Sequence, residues 1–195
     1  MLHLTTIDTT TYSLVQKVFK TEIIKNNFAL AGGTSLALQI GHRKSIDLDL
    51  FCPPPFNVKE LEIILATTTN FSFEYTGSNS RMLFANINNI KCDFVQESAT
   101  LLAPFVVADG VNYFSVKDIA AMKLHTICGR GKKKDFFDVY ALLQLYSRET
   151  LIEWFTQKYD EKQLFFFWRS ILYFEDAEND QISKAIQPSL KIGMK

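Results

Sequence analysis

The chain has 195 residues, 47% hydrophobic and 22% charged, a balance that suits a folded globular protein and excludes a long disordered tract. Lysine and arginine number 21 against 21 acids, so the formal net charge is zero and no overall field gathers nucleic acid; a polyanion has to be met by a local patch. The cysteines, Cys52, Cys92 and Cys128, are odd in number and far apart, without CxxC or Cys/His spacing, which argues against a disulfide framework or a zinc site and for reduced cytoplasmic thiols.

The first residues, "MLHLTTIDTTTYSLV", lack the basic start and apolar run of a secretory signal, and no stretch approaches the ~20 residues needed to span a bilayer. A soluble protein without a membrane or DNA partner is expected. Tyr12, Val15, Val18, Phe19 and Ile23 recur at helical spacing and predict a helix over 10–26, stopped by "NN". "FALA" reads as a short buried strand, Gly32 and Gly33 turn the chain, and "TSLALQI" predicts a helix opened by Thr34 or Ser35 as a capping hydroxyl. "SIDLDLF" alternates with period two and predicts a strand, which "CPPPF" ends because proline donates nothing to a ladder. A helix over 57–68 follows, then strands in "FSFEYTG", "SRMLFANI" and "KCDFVQ", the last two joined across Asn88 and Asn89 as a hairpin. From Val116 the pattern is helical, with a break at "GRGKKK". The expected layout is an α/β core over 1–110 and a helical region over 111–195 that completes the site.

Chemistry concentrates at "FALAGGTSLALQIGHRKSIDLDLF". Alternate side chains of a strand share a face, so Asp47 and Asp49 point one way while Ile46, Leu48 and Leu50 fill the core. Two carboxylates about 7 Å apart along a strand repel, and hard divalent cations taking oxygen ligands relieve the repulsion. Magnesium fits that description, although Asp-x-Asp alone equally describes two solvent-facing acids. The glycine turn adds weight. Gly32 and Gly33 permit close backbone approach, and Thr34 sits where free helix N–H groups favour a phosphate.

Two further segments carry charge in unexpected places. Lys123 falls between Ile119 and Ile127 in the middle of an apolar stripe, so its ammonium either snorkels past the stripe or meets an anionic partner, for which the triphosphate of an NTP is the sharper reading. Asp135 and Asp138 also avoid the wet face of the next helix, beside Val139 and Leu142. Ser115 and Asp118 form a capping box, which assigns Asp118 to helix stability. "GRGKKK" is either a solvated loop or a local patch for RNA phosphates. In "QLFFFWRSILYF", Leu164, Phe167, Trp168 and Ile171 share helical spacing and read as core, while His42 and His125 read as ordinary polar positions.

The stretch "AGGTSLALQIGHRKSIDLDLF" resembles the nucleotidyltransferase motif of the AbiEii/AbiGii toxin family: paired glycine and hydroxyl, short helix, Arg, Ser, then Asp-x-Asp. "VKDIAAMKLHTICGRGKKKDFFDVYALLQ" is similar to the family's second signature, a lysine-bearing helix, a basic loop and an Asp-x-x-Asp helix, and "YFEDAE" at 173–178 has the family's flavour. The resemblance implies a polymerase-β-like nucleotidyltransferase fold, a mixed sheet with flanking helices and a helical C-terminal part, and Mg2+-dependent transfer of a nucleotide from an NTP to tRNA or protein. It also implies a growth-arresting toxin opposed by a cognate antitoxin. By this resemblance Gly33 and Thr34 hold phosphates, Asp47 and Asp49 bind metal, Arg43 and Ser45 position the triphosphate, Asp135 acts in the active site, and Asp93 is the third acid. The rival readings are a catalytically silent nucleotide- or RNA-binding module and a phosphatase of the haloacid dehalogenase type. The latter leaves the paired glycine unused and lacks a small or hydroxyl residue soon after Asp49.

Overall fold

Asp8 opens the first helix by accepting a hydrogen bond from the Thr11 backbone N–H at 2.8 Å, an N-cap that satisfies one of the donors left free at a helix start. The computed structural model describes residues 1–68, 70–129 and 132–172. In place of one helix over 10–26 there are two, α1 (Thr9–Val18) and α2 (Glu22–Asn27). The chain tightens at the end of α1, where Lys20 and Thr21 donate three residues back to Lys17 and Val18, and Thr21 then becomes extended. Phe19, 2% exposed, packs this bend into the core, a tertiary gain that helical spacing does not reveal.

The strand β1 (Ala29–Leu30) leads into α3 (Gly32–Ile40), and α3 returns the chain to β2 (Leu48–Cys52). Two expectations are corrected here. Ala31, not a hydroxyl residue, is the N-cap of α3, and Thr34 and Ser35 are buried inside the helix. Ile46 is 42% exposed rather than a core residue, because regular pairing starts only at Leu48 and residues 44–47 form a loop tied down by other contacts.

Next come α4 (Val58–Thr67), capped by Asn57, and three strands, β3 (Phe73–Asn79), β4 (Met82–Ile87) and β5 (Ile90–Gln96). Asn88 and Asn89 take φ of +50° and +62°, the left-handed pair that a two-residue hairpin needs. A second hairpin, unassigned from sequence, joins β6 (Val106–Ala108) to β7 (Val111–Tyr113) through Asp109 and Gly110, also at positive φ. Each strand has three residues, too few for alternation to show. The remaining described helices are α5 (Val116–Gly129), α6 (Lys133–Leu143), α7 (Arg148–Lys158) and α8 (Leu164–Leu172).

The strands form one mixed sheet in the order β3-β4-β5-β2-β1-β7-β6, with β2 parallel to β5 and β1 parallel to β7. The β6–β7 hairpin straddles residue 110, so strand pairing continues into the segment that precedes α5. Alternation then sorts the two cores. Leu30, Leu48, Leu50, Cys52, Cys92 and Phe94 join Leu14, Val18, Ile24 and Leu61 on one side of the sheet. Ala29, Ala31 and Phe114 join Leu36, Ile119, Leu124, Leu142 and Phe155 on the other. Within α8, Phe167 is buried as expected, but Trp168 is 43% exposed, a second correction to the core reading; the Ile171 side chain and "YFEDAE" lie outside the described residues. Burial pushes the Cys52 thiol up to about 11 and the Cys92 thiol up to about 12, which leaves both unreactive near neutral pH.

Candidate active site

Since Leu48, Leu50, Cys92 and Phe94 fill one core, the intervening Asp49 and Asp93 face the opposite side, towards α5 and α6. In the parallel β2–β5 ladder Asp49 and Asp93 are register partners, so two carboxylates from strands adjacent in space stand beside each other. Asp47 lies two residues before Asp49, in the loop that enters β2.

The glycine turn shapes this face directly. Gly32 has φ +62°, and a Cβ there would sit 2.1 Å from Asp49 Oδ2; at Gly33 a Cβ would meet Arg43 Nη2 at 2.2 Å. Only a residue without a side chain lets the start of α3 lie against the acid and the guanidinium. The Ala31 N–H donates to the Asp49 carbonyl at 2.8 Å, and the Thr34 hydroxyl bonds both the Asp47 carbonyl and Ser45 Oγ. Thr34 is 1% exposed, so its hydroxyl fastens the loop that carries Asp47 from within the fold.

Helices α5 and α6 supply the facing wall. Lys123, 6% exposed, reaches Asp135 Oδ1 at 2.9 Å and Asp138 Oδ2 at 2.6 Å. Asp138 is fully buried and also accepts from Arg43 Nε at 2.6 Å, Arg43 Nη2 at 3.0 Å and His42 Nε2 at 2.6 Å. Burial alone would raise the Asp138 carboxyl; Lys123, His42 and Arg43 overcome it and hold that carboxyl far below the usual carboxylate range. Burial likewise works against the Lys123 ammonium, yet Asp138 and Asp135 raise its pKa, so Lys123 stays charged.

Together Gly33, Arg43, Ser45, Asp47, Asp49, Asp93, Lys123 and Asp135 line one cleft of about 240 Å³, joined by Lys91, Lys132 and Lys134. The predicted acids, turn and lysine therefore meet around a single space. Sequence reasoning missed three contributors. Lys91, which pairs with Asp93, had a legible signal, since "IKCDF" places Lys91 and Asp93 on one face of a strand. Lys134, 3.2 Å from Asp47, was hidden inside a charge run. His42, read as an ordinary polar position, is a buried partner of Asp138, a correction that depends on a contact spanning 96 residues.

The electrostatics distinguish the three acids. Burial raises the pKa of Asp49, the neighbouring Asp93 and Asp47 charges add to the rise, and Lys123 opposes it. Asp93 pairs one oxygen with Lys91, while its buried Oδ1 has no hydrogen-bond partner among the described residues. Among the described residues no three His, Cys, Asp or Glu side chains stand gathered as a metal-holding group. The donor set nonetheless suits a hard divalent cation, because it consists of carboxylates, one destabilised by burial and one with an oxygen to spare.

The family model for the nucleotidyl transferase AbiEii toxin of type IV toxin-antitoxin systems matches residues 14–189. The chain belongs to the AbiEii family. As an AbiEii protein it is a nucleotidyltransferase toxin, and its fold is mixed α/β. An uncharacterized protein of Aquifex aeolicus is 32% identical over 174 residues, 85% of this chain and 82% of that one. Two solved structures are similar at lower identity. JHP933 from Helicobacter pylori shares 18% identity at a TM-score of 0.46, over 86% of this chain and 94% of that chain. The nucleotidyltransferase toxin MenT4 from Mycobacterium tuberculosis shares 16% at 0.47, over 76% of this chain and 65% of that chain. The AbiEii model takes in both the Asp-x-Asp strand and the Asp135/Asp138 helix, the two walls of the cleft. Among the described residues, no helix is long and apolar enough to cross a membrane.

Proposed function

We propose that this AbiEii protein transfers a nucleotide from an NTP to an acceptor, a tRNA or a protein side chain, with Mg2+ as cofactor, and that a cognate antitoxin opposes it in the cell. The observation that carries this reading is the meeting of Asp47, Asp49 and Asp93 with Gly33 and Lys123 around one cleft. Asp47 and Asp49, with Asp93 beside them, would hold the metal. When bound, the metal neutralises the phosphate oxygens around the reacting phosphorus and offsets the repulsion among the carboxylates.

The chain's own groups do the rest. Backbone N–H groups at the start of α3, exposed by Gly32 and Gly33, would receive phosphate oxygens, helped by the positive end of the helix dipole. An acceptor oxygen attacks the α-phosphorus in line, a P–O bond forms to the acceptor, and the bond to the β-phosphate oxygen breaks to release pyrophosphate. Lys123 would meet the charge that grows on the leaving group. Its ammonium is already desolvated and fixed by Asp135 and Asp138, so no reorganisation delays it. Asp135 and Asp138 are thus positioning residues that act through Lys123. Arg43, spent on Asp138 through two nitrogens, sets the cleft wall while Ser45 orders the loop before Asp47.

The test is incubation of the purified protein with labelled NTPs, Mg2+ and either total tRNA or a cell protein extract. Label should appear in one acceptor fraction with the wild type, disappear on chelation, and fall about a hundred- to a thousandfold in Asp47→Ala and Asp49→Ala, the scale expected when electrostatic stabilisation at a reacting centre is removed. Equal labelling by wild type and both variants would remove these acids from the mechanism. Magnesium-dependent NTP binding with no labelled acceptor in either fraction would favour the silent binding module.

A further inference from the structure

Two of the three cleft acids are engaged by lysines. Lys134 Nζ lies 3.2 Å from Asp47 Oδ2, and Lys91 Nζ pairs with Asp93 Oδ2. The lysines differ in what holds them. Lys91 stands two residues from its partner on the same strand, so strand geometry fixes the pair. Lys134 arrives from the first turn of α6, 87 residues from Asp47, directly before Asp135. Its side chain is 28% exposed and Asp47's is 33%, so the contact is partly open to solvent, and no local strand geometry holds the long flexible ammonium there.

A carboxylate oxygen engaged by an ammonium presents less negative charge to a second cation. A divalent cation at Asp47 and Asp49 therefore competes with Lys134 for Asp47. The released ammonium stays tethered to α6 at the cleft rim, beside Lys132, where the added charge of a divalent cation repels it and the triphosphate of the substrate attracts it. We infer that Lys134 is an exchange residue: it pairs with Asp47 in the metal-free protein and moves to the NTP phosphates when metal and nucleotide bind together. This inference rests on the assignment of Asp47 and Asp49 as metal ligands.

The exchange couples two ligands. Metal alone competes with Lys134 without offering it a new partner, whereas metal with NTP supplies one, so each ligand strengthens the other's binding by the same factor. Metal-free nucleotide, which leaves Asp47 paired, gains nothing from Lys134. The cleft is therefore built to favour the metal–NTP complex over either component.

The experiment measures metal affinity directly, by titrating Mn2+ as the paramagnetic substitute for Mg2+ and following free Mn2+ by electron paramagnetic resonance. It is run with and without a non-hydrolysable NTP, in wild type, Lys134→Met and Lys134→Arg. Lys134→Met should bind Mn2+ alone about three- to tenfold more tightly than wild type, the range for removing a partly exposed ion pair and a nearby positive charge. It should bind nucleotide more weakly in the presence of Mn2+, so that the mutual strengthening seen in wild type largely disappears, while Lys134→Arg retains most of it. Unchanged Mn2+ affinity in Lys134→Met, or unchanged coupling, overturns the exchange. Asp49→Asn serves as the separate control: loss of Mn2+ binding there with no effect at Lys134 rejects the exchange alone, whereas undiminished Mn2+ binding in Asp49→Asn rejects the metal assignment on which it rests.

Discussion

Asp49, as the proposed metal ligand, carries a charge at some expense to the fold. Its carboxyl is pushed upward by burial and by two neighbouring acids, so the metal-free fold carries a charge that it disfavours. A carboxyl whose folded pKa exceeds its unfolded one contributes stability that is fully present below the unfolded value, about 3.9, and lost as pH rises through the folded value. Asp49→Asn removes that penalty. The metal-free variant is expected to be more stable than wild type near neutral pH by about 1 kcal/mol, or roughly 2–4 °C in melting temperature. The difference should shrink as the pH falls through the raised folded pKa towards the ordinary aspartate value. Thermal melts across that range check it; a variant less stable than wild type at neutral pH would show that Asp49 is comfortable without metal. The same logic was only half legible in sequence. "DLD" announced two carboxylates on one face, but the charges that act on Asp49 beyond burial, Lys123 and Asp93, come from α5 and from a strand more than forty residues away.

At the scale of elements, the start of α3 sets the space in which the Asp49 carboxylate sits. Gly32 takes a left-handed φ of +62° and leaves no room for a methyl group against Asp49 Oδ2. Gly32→Ala is expected to cost about 1–3 kcal/mol from the backbone conformation, and to displace the Asp49 carboxylate besides. Metal affinity should therefore fall along with melting temperature, and a Mn2+ titration at a temperature where the variant is fully folded separates the two effects. Retained affinity would mean that Asp49 adjusts without loss. Close backbone approach at the paired glycine was evident from the sequence, whereas the groups it lies against, Asp49 and Arg43, and its place inside the first turn of α3 were not. A hydroxyl after two glycines looks like a cap by local rules, yet Thr34 lies inside the helix with its hydroxyl committed to the Asp47 carbonyl and Ser45. Tertiary satisfaction of a buried hydroxyl outranks the local capping preference.

Across the whole molecule, the sheet divides two apolar clusters, and the cleft opens on the side that packs against α5 and α6. A second buried ion pair steadies that side without entering the cleft. Asp118, read from sequence as part of a capping box, does accept through Ser115, but its carboxylate also receives the Leu102 and Ala103 N–H groups and Lys158 Nζ at 2.9 Å. Lys158, in the last turn of α7, donates as well to the Thr100 carbonyl, so α5, α7 and the 100–103 loop are joined. Lys158→Met should destabilise the protein by about 3–5 kcal/mol, the usual cost of breaking one side of a buried pair. Mn2+ affinity of the folded fraction should stay at the wild-type value. Chemical denaturation measures the first effect, and a loss below 1 kcal/mol would show that the remaining donors satisfy Asp118.

What the sequence by itself determined were the features carried by neighbours along the chain: the Asp47/Asp49 pair, the paired glycine, the Asn88-Asn89 hairpin and the misplaced charge of Lys123, all expressed within a few residues by periodicity or turn chemistry. The tertiary structure alone decided which of these groups meet. Arg43 finds Asp138 across 95 residues, Lys134 finds Asp47 across 87, and Asp49 lines up with Asp93 because β2, already paired with β1 on one edge, takes the distant β5 on the other. Such partnerships depend on strand order and on how helices pack over a sheet, and those follow from the burial of two whole cores rather than from any local pattern.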